Sequence, residues 1–199
     1  MTTQIPDPII INDVSFSLYR AINSVIGEDI SPLNKYLEQY NSNLKFDIQA
    51  SYCWRGYVAT WEIKDDCFYL KDISGKINSL DIKLYQLFKS QEVKAIWFTG
   101  SIRIAISTVN YIVSHIGYTS TISPKNIRFY VENGRVVNRV LEETIYNEDD
   151  LNILSEKEKI ITEEEMTDEI LSYKAMIGRE NMPIEIYYAD ADYNDDLPY

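Results

Sequence analysis

Histidine occurs once in these 199 residues, cysteine twice and glycine seven times. Neither the spacing nor the neighbours of Cys53 and Cys67 make a metal site, and the lone His115 has no second ligand nearby to build a typical zinc centre. His115 lies between Val113 and Ile116, so packing is its first reading and a proton-shuttling role the second. No run approaches the ~18 apolar residues that a membrane helix needs. The opening residues Met1 to Asp7 lack the basic and apolar regions of a secretory signal. A cytoplasmic location is therefore expected, with both thiols reduced; a disulfide across a hairpin is the alternative. No G-x-S-x-G elbow, P-loop or G-x-G-x-x-G occurs. Asp65-Asp66 and Glu142-Glu143 are adjacent acids, which a turn or strand points apart, so neither pair suits acid–base catalysis. The terminal D-x-D-x-x-D-D lacks the glycine and the distal glutamate of a calcium loop. The expectation is no cofactor, no metal and, on balance, no catalysis.

What is abundant is tyrosine, 16 residues against 6 phenylalanines, a residue suited to half-buried strand faces and to binding surfaces. Acid is abundant too, and unevenly placed. Residues 1–147 hold 15 of the 19 Lys and Arg and 15 of the 31 Asp and Glu, so they are neutral; residues 148–199 hold the other 4 and 16 and carry the whole net charge of −12. A charge-neutral body (1–147) followed by an acidic helical segment and tail (148–199) is the expected organisation. Such a field repels nucleic-acid phosphates and anionic membranes and attracts basic surfaces.

Apolar alternation on either side of Asn12-Asp13 predicts an opening hairpin. Ser31-Pro32 caps and starts a helix carrying Leu33, Tyr36, Leu37 and Tyr40. The period then changes to two: Phe46, Ile48, Ala50 and Tyr52 predict one strand, and Tyr57, Ala59, Trp61 and Ile63 continue it past a bend at Gly56. Lys64-Asp65-Asp66 turns the chain, and Phe68, Leu70 and Asp72 share a face of the return strand. Leu80–Lys89 reads as a short helix. Ala95–Ile106 reads as a long strand with Trp97, Thr99, Ser101 and Arg103 opposite its isoleucines, and 107–122 fits either helix or loop. Asn133-Gly134 joins the clearest hairpin. Thr162-Glu163-Glu164-Glu165 is a capping box that starts a helix over 163–177, with Met166, Ile170, Tyr173 and Ile177 as its stripe and Gly178 as its stop. Ile184, Ile186 and Tyr188 suit an edge strand, and the closing acidic run reads as flexible. The fold class is α+β: mainly antiparallel sheet, a few packed helices and a C-terminal acidic helix.

Two groups of residues are candidates for function. Trp54, Arg55, Tyr57, Trp61, Glu62, Trp97, Arg103 and Tyr118 combine aromatic rings with cations. They form either a structural Arg–Glu–Trp cluster, in which Arg55 or Arg103 stacks on a tryptophan and bonds Glu62, or a pocket where arginine holds an anion and the rings hold a planar group. Cys53, beside Arg55, is a passive thiol or one with a lowered pKa. The second group, Glu163, Glu164, Glu165, Asp168, Asp190, Asp192, Asp195 and Asp196, would face a basic protein partner.

Trp54-Arg55-Gly56-Tyr57-Val58-Ala59-Thr60-Trp61-Glu62-Ile63, then Tyr69-Leu70, Trp97-Phe98-Thr99-Gly100-Ser101-Ile102-Arg103-Ile104 and His115-Ile116-Gly117-Tyr118, resemble blocks of a group of uncharacterised bacterial proteins. The resemblance spans roughly residues 9–140, leaves out the acidic segment, and departs at Ala105-Ile106, where the group carries a proline and a small loop. It implies a shared fold and a bacterial or phage origin, and it carries no functional role onto any residue. The sequence thus points to an intracellular interaction module, an inhibitor or an immunity or phage-defence protein, that binds a basic partner. A small-ligand binder or enzyme at the aromatic–arginine group is the alternative. Neither direct nucleic-acid nor membrane binding is expected, and the oligomeric state is left open.

Overall fold

The computed structural model describes residues 5–23, 31–40, 43–48, 50–107, 109–113, 118–146, 153–177 and 187–189; within these, residues 19–23, 109–113, 118–121 and 187–189 are described by their backbone alone. The opening hairpin joins β1 (Pro8–Ile11) to β2 (Val14–Asn23) through Asn12 and Asp13, both at positive φ. Short polar side chains tolerate that conformation, and the mirror-image turn matches the strand twist. β3 (Tyr57–Lys64) runs parallel to β1 and antiparallel to β4 (Cys67–Ile77), turning at Asp65 and Asp66. β7 (Gly100–Ala105), β10 (Lys125–Glu132) and β11 (Arg135–Tyr146) follow, the last two joined by Asn133-Gly134 as expected.

The strand order β11-β10-β7-β2-β1-β3-β4 closes on itself where Arg135 of β11 meets Cys67 of β4, making a seven-stranded barrel. β12 (Ile153–Ile160) extends the sheet beyond β11, and the short β5 (Leu80–Ile82) and β6 (Val93–Lys94) lie against β4. β8 (Val109–Val113), β9 (Tyr118–Ile122) and β13 (Tyr187–Ala189) form a separate three-stranded sheet. The described part of the region that suited helix or loop is therefore two antiparallel strands, and Tyr188 lies in a strand.

The barrel is filled by alternate residues of its strands. Ile9, Trp61, Phe68, Ile102, Ile104 and Phe129 are fully buried, each contributing about 1.5–3 kcal/mol by leaving water. The Trp61 and Phe68 rings stack at 4.6 Å. α1 (Pro32–Tyr40) adds Leu33 and Leu37 to this core, and Trp97 donates its indole N–H to the Pro32 carbonyl (2.9 Å). α2 (Leu84–Phe88) brings Phe88 against Tyr36. α3 (Glu163–Ile177) begins on the expected capping box: Glu165 N donates to Thr162 Oγ1 (3.1 Å) and Thr162 N to Glu165 Oε2 (2.9 Å). Its Met166 and Ile170 are buried, and Tyr173 stacks on Phe16 of β2 at 5.2 Å. The acidic segment thus begins as part of the body, with β12 in the sheet and α3 on the core. Ile177 is exposed at the end of the helix; Gly178, Ile184, Ile186 and the closing run lie outside the described residues.

Four local expectations fail for identifiable reasons. Residues 46–48 and 50–52 are not strand. Phe46 wedges into the core against Tyr57, Asp47 N donates to Lys76 O, and the Asp47 carboxylate accepts from Asn78 N and Ser79 N, so the segment's polar groups fasten it crosswise over β4. The β3–β4 register shifts between Thr60 and Trp61, which takes Asp72 out of the buried row and puts Ile73 there. Leu80–Lys89 splits into β5 and a shorter helix α2. Finally, β7 starts at Gly100, because Ala95–Phe98 is a tight turn (Phe98 N to Ala95 O, 2.9 Å) that buries Trp97. That turn crosses the hairpin tip so closely that a Cβ on Gly134 would stand 2.7 Å from the Ala95 backbone.

Candidate functional site

Two places on the barrel gather polar side chains with a purpose legible in their geometry. At the first, β1, β3, the start of α1 and the segment before β3 meet on a single carboxylate. Asp7 is 4% exposed. It accepts from Arg55 Nη2 (2.6 Å), Ala59 N (2.9 Å), Trp61 Nε1 (3.3 Å) and Ser31 Oγ (3.3 Å). Burial raises the Asp7 pKa, and this outweighs the opposing pull of Arg55 and of the donors from Ala59 and Trp61. Arg55 is held further by donating Nε to Tyr57 O (2.9 Å) and by lying over the Tyr57 ring at 5.5 Å. The Tyr57 hydroxyl donates to Asn34 Oδ1 (2.6 Å) and lies 2.9 Å from Ser31 Oγ; burial pushes its phenol pKa up. The Ser31 hydroxyl, placed by the sequence as a helix cap, is thus spent on Asp7 and Tyr57.

The second place is a cleft of about 300 Å³ at the end of the barrel where the β1–β2 and β3–β4 turns approach the start of α3. Asp13, Glu62, Asp65, Asp66 and Glu163 line it, against the two cations Lys64 and Arg139. Arg139 forms an ion pair with Asp66, and Glu62 pairs with Lys71 (3.0 Å). Asn12 Nδ2 donates to Thr167 Oγ1 (3.1 Å), fixing α3 to the β1–β2 turn. The helix thereby carries its first acid to the turn acids, a juxtaposition that the long stretch of chain between them hides from a reading along the sequence.

The expected aromatic–arginine cluster does not assemble as one site. Trp54, Arg55 and Tyr57 do come together, along one cavity. Trp61 is sealed in the core on Asp7, Trp97 is sealed on Pro32, and Glu62 bonds Lys71 in place of an arginine. Arg103 lies on another part of the barrel, where it donates to Glu142, which also faces Arg128 as an ion pair. Tyr118 lies in β9 of the smaller sheet. The alternation that grouped these residues assumed that consecutive strands share a face, and the turn at 95–98 and the closure of the barrel redistribute them. Asp7 was missed because a lone aspartate beside two prolines carries no periodic signal. Its one clue is the sequence of a buried strand beginning directly after it.

Cys53 and Cys67 are both free thiols; Cys53 is buried and its Sγ donates to Tyr57 O (3.3 Å), which suits the passive reading. Among the acids expected to meet a partner, Glu165 pairs with Lys159 (2.6 Å), whereas Glu163, Glu164 and Asp168 form no ion pair with a described residue. Glu169 pairs with Lys125 (2.7 Å). Asp190, Asp192, Asp195, Asp196 and His115 lie outside the described residues. Among the described residues no group of His, Cys, Asp and Glu is placed to hold a metal, and no helix is long and apolar enough to cross a membrane. No family model, curated protein or solved structure matches this chain.

Proposed function

We propose that this protein is a non-enzymatic interaction module that binds a partner with a basic surface through the acidic cleft and the outer face of α3. It acts as an inhibitor, in the manner of an immunity protein or a protein of phage–host conflict. One observation carries the reading: α3 is docked so that Glu163 joins Asp13 and Asp65 around a cleft with an excess of acid, while Glu164 and Asp168 extend the same charge along the exposed side of the helix. An acid surface of this kind speeds encounter with a cationic partner and rejects anionic ones. Rim charges act mainly on the association rate and fade with salt. The cytoplasm, where such a partner would be met, is part of the proposal.

The test is a pull-down from host cells with the wild-type chain and with a variant carrying Asp13→Asn, Asp65→Asn, Glu163→Gln and Glu164→Gln. The reading expects at least one basic protein that the wild type retains at low salt and releases at high salt, and that the variant does not retain. A partner held equally by both chains at every salt concentration would sink it.

A further inference from the structure

The chain between α1 and β3 has an unusual construction. Residues 43–48 and 50–56 form no helix or strand, yet they are fastened at many points. Ile5 N donates to Tyr52 O (2.8 Å), Cys53 N to Ala50 O, Gly56 N to Cys53 O, and Asp47 ties the segment to the end of β4. Gly56, at φ 76°, lets Phe46 pack where a Cβ would meet it at 2.8 Å. A long irregular segment that is held this firmly is the usual carrier of a binding site. It also keeps large apolar side chains in water: Trp54 is 52% exposed and Ile48 69%.

Between this segment and α1 lies a cavity of about 470 Å³, within the range of small-molecule sites. Phe46, Trp54 and Tyr57 give it aromatic walls, and Asn34, Lys45 and Arg55 bring polar groups to it. These groups offer donors. Asn34 Oδ1 is taken by Tyr57, and its Nδ2 has no partner among the described residues. Arg55 spends Nε on Tyr57 O and Nη2 on Asp7, Nη1 has no partner among the described residues, and both bonds hold the guanidinium in a fixed plane. Lys45 adds an ammonium. Among the described residues Glu38 is the one acid on this wall, against the cations Lys45 and Arg55.

We infer that this cavity binds a small planar aromatic carboxylate, its ring against the exposed Trp54 and its carboxylate on Asn34, Lys45 and Arg55. A monoanion suits the site better than a phosphate dianion, because Asp7 already offsets Arg55 and the field of the whole chain opposes added negative charge. The inference is independent of the acidic cleft.

Calorimetric titration of the full chain with 2-naphthoate, 2-naphthalenemethanol and adenosine monophosphate tests it. Naphthoate should bind saturably with Kd at or below about 1 mM, at least tenfold more tightly than the neutral alcohol. Trp54→Ala and Lys45→Ala should each weaken it about tenfold, the latter with its melting temperature unchanged, and wild-type NMR shifts should include the Trp54 indole N–H and the Asn34 amide. Absence of saturable naphthoate binding, or binding that neither substitution weakens, overturns the inference. Tighter binding of adenosine monophosphate overturns the assignment to a carboxylate.

Discussion

Asp7 and Glu163 are carboxylates on the same barrel, and they live under opposite rules. Asp7 sits among four donors with almost no access to solvent, and burial dominates its titration. Glu163 is exposed at the start of a helix, one of five acids around the cleft. The first holds β1, β3, α1 and the segment before β3 in one arrangement; its interactions are directional and only weakly screened by salt. The second contributes little to folding, and its reach is long and screened. One residue class therefore serves specification of the fold at one place and sets a surface field at another, and burial separates the two.

The sharpest way to break that contrast is Asp7→Ala. It leaves the Arg55 charge and the Trp61 indole N–H facing an apolar methyl, so we expect a loss of about 3–5 kcal/mol in urea unfolding. Glu163→Gln should change the same midpoint by less than about 0.5 kcal/mol. Equal effects would mean that burial does not separate the two carboxylates. Next in size is Gly56→Ala, expected to cost about 2–4 kcal/mol from a strained φ and a displaced Phe46, and to loosen the 43–56 segment in hydrogen exchange while leaving α3 protected.

A pH series sharpens the contrast further. The folded-state pKa of Asp7 is raised above its ordinary value of 3.8, so between those two values the folded protein binds more protons than the unfolded one. Its contribution to stability is therefore largest below 3.8 and declines as pH rises through the folded-state pKa. Glu165 runs the other way. Lys159 and the Thr162 N–H hold its carboxyl below the usual value, so its contribution is present above 4.5 and is lost as pH falls through the lowered pKa. Relative to wild type, Asp7→Asn should make unfolding stability rise more steeply, or fall less, with pH over the window above 3.8, and Glu165→Gln should flatten the acid limb slightly. The same slope in all three proteins would refute the assigned signs.

The smallest expected effect concerns β12, the end of the sheet among the described residues. Glu156, Lys157, Glu158 and Lys159 alternate along it. In a two-fold antiparallel pairing of two such edges, each residue faces one an even number of positions away, so glutamate meets glutamate and lysine meets lysine. This guards the edge against self-pairing. Replacing Glu156 and Glu158 with valine should leave the melting temperature nearly unchanged and raise the self-associated fraction seen in sedimentation; a monomeric variant at high concentration would show that the charges do not act there.

Local chemistry made much of this molecule legible along the chain. Asn12-Asp13 and Asn133-Gly134 fixed two hairpins because few residues accept positive φ. Ser31-Pro32 placed the start of α1, and Thr162 with Glu165 fixed the start of α3 through two reciprocal bonds, so both helices begin where they were expected. The candidate site was legible only in part. Trp54, Arg55 and Tyr57 stand together because they are neighbours in the chain, while Trp61, Trp97 and Arg103 separated once the barrel closed.

What the sequence determined by itself was the set of turns, caps and alternating faces, and the confinement of the net charge to the last quarter, since each depends on residues within a few positions of one another. Only the tertiary structure decided that Asp7 would collect Arg55, Ala59, Trp61 and Ser31, and that α3 would bring Glu163 to Asp13 and Asp65. It alone decided, too, that residues 46–48 and 50–52 would be fastened loop and no strand. Those outcomes depend on which strand lies beside which, and a barrel seam made of contacts between residues far apart in sequence leaves no periodic mark on the chain.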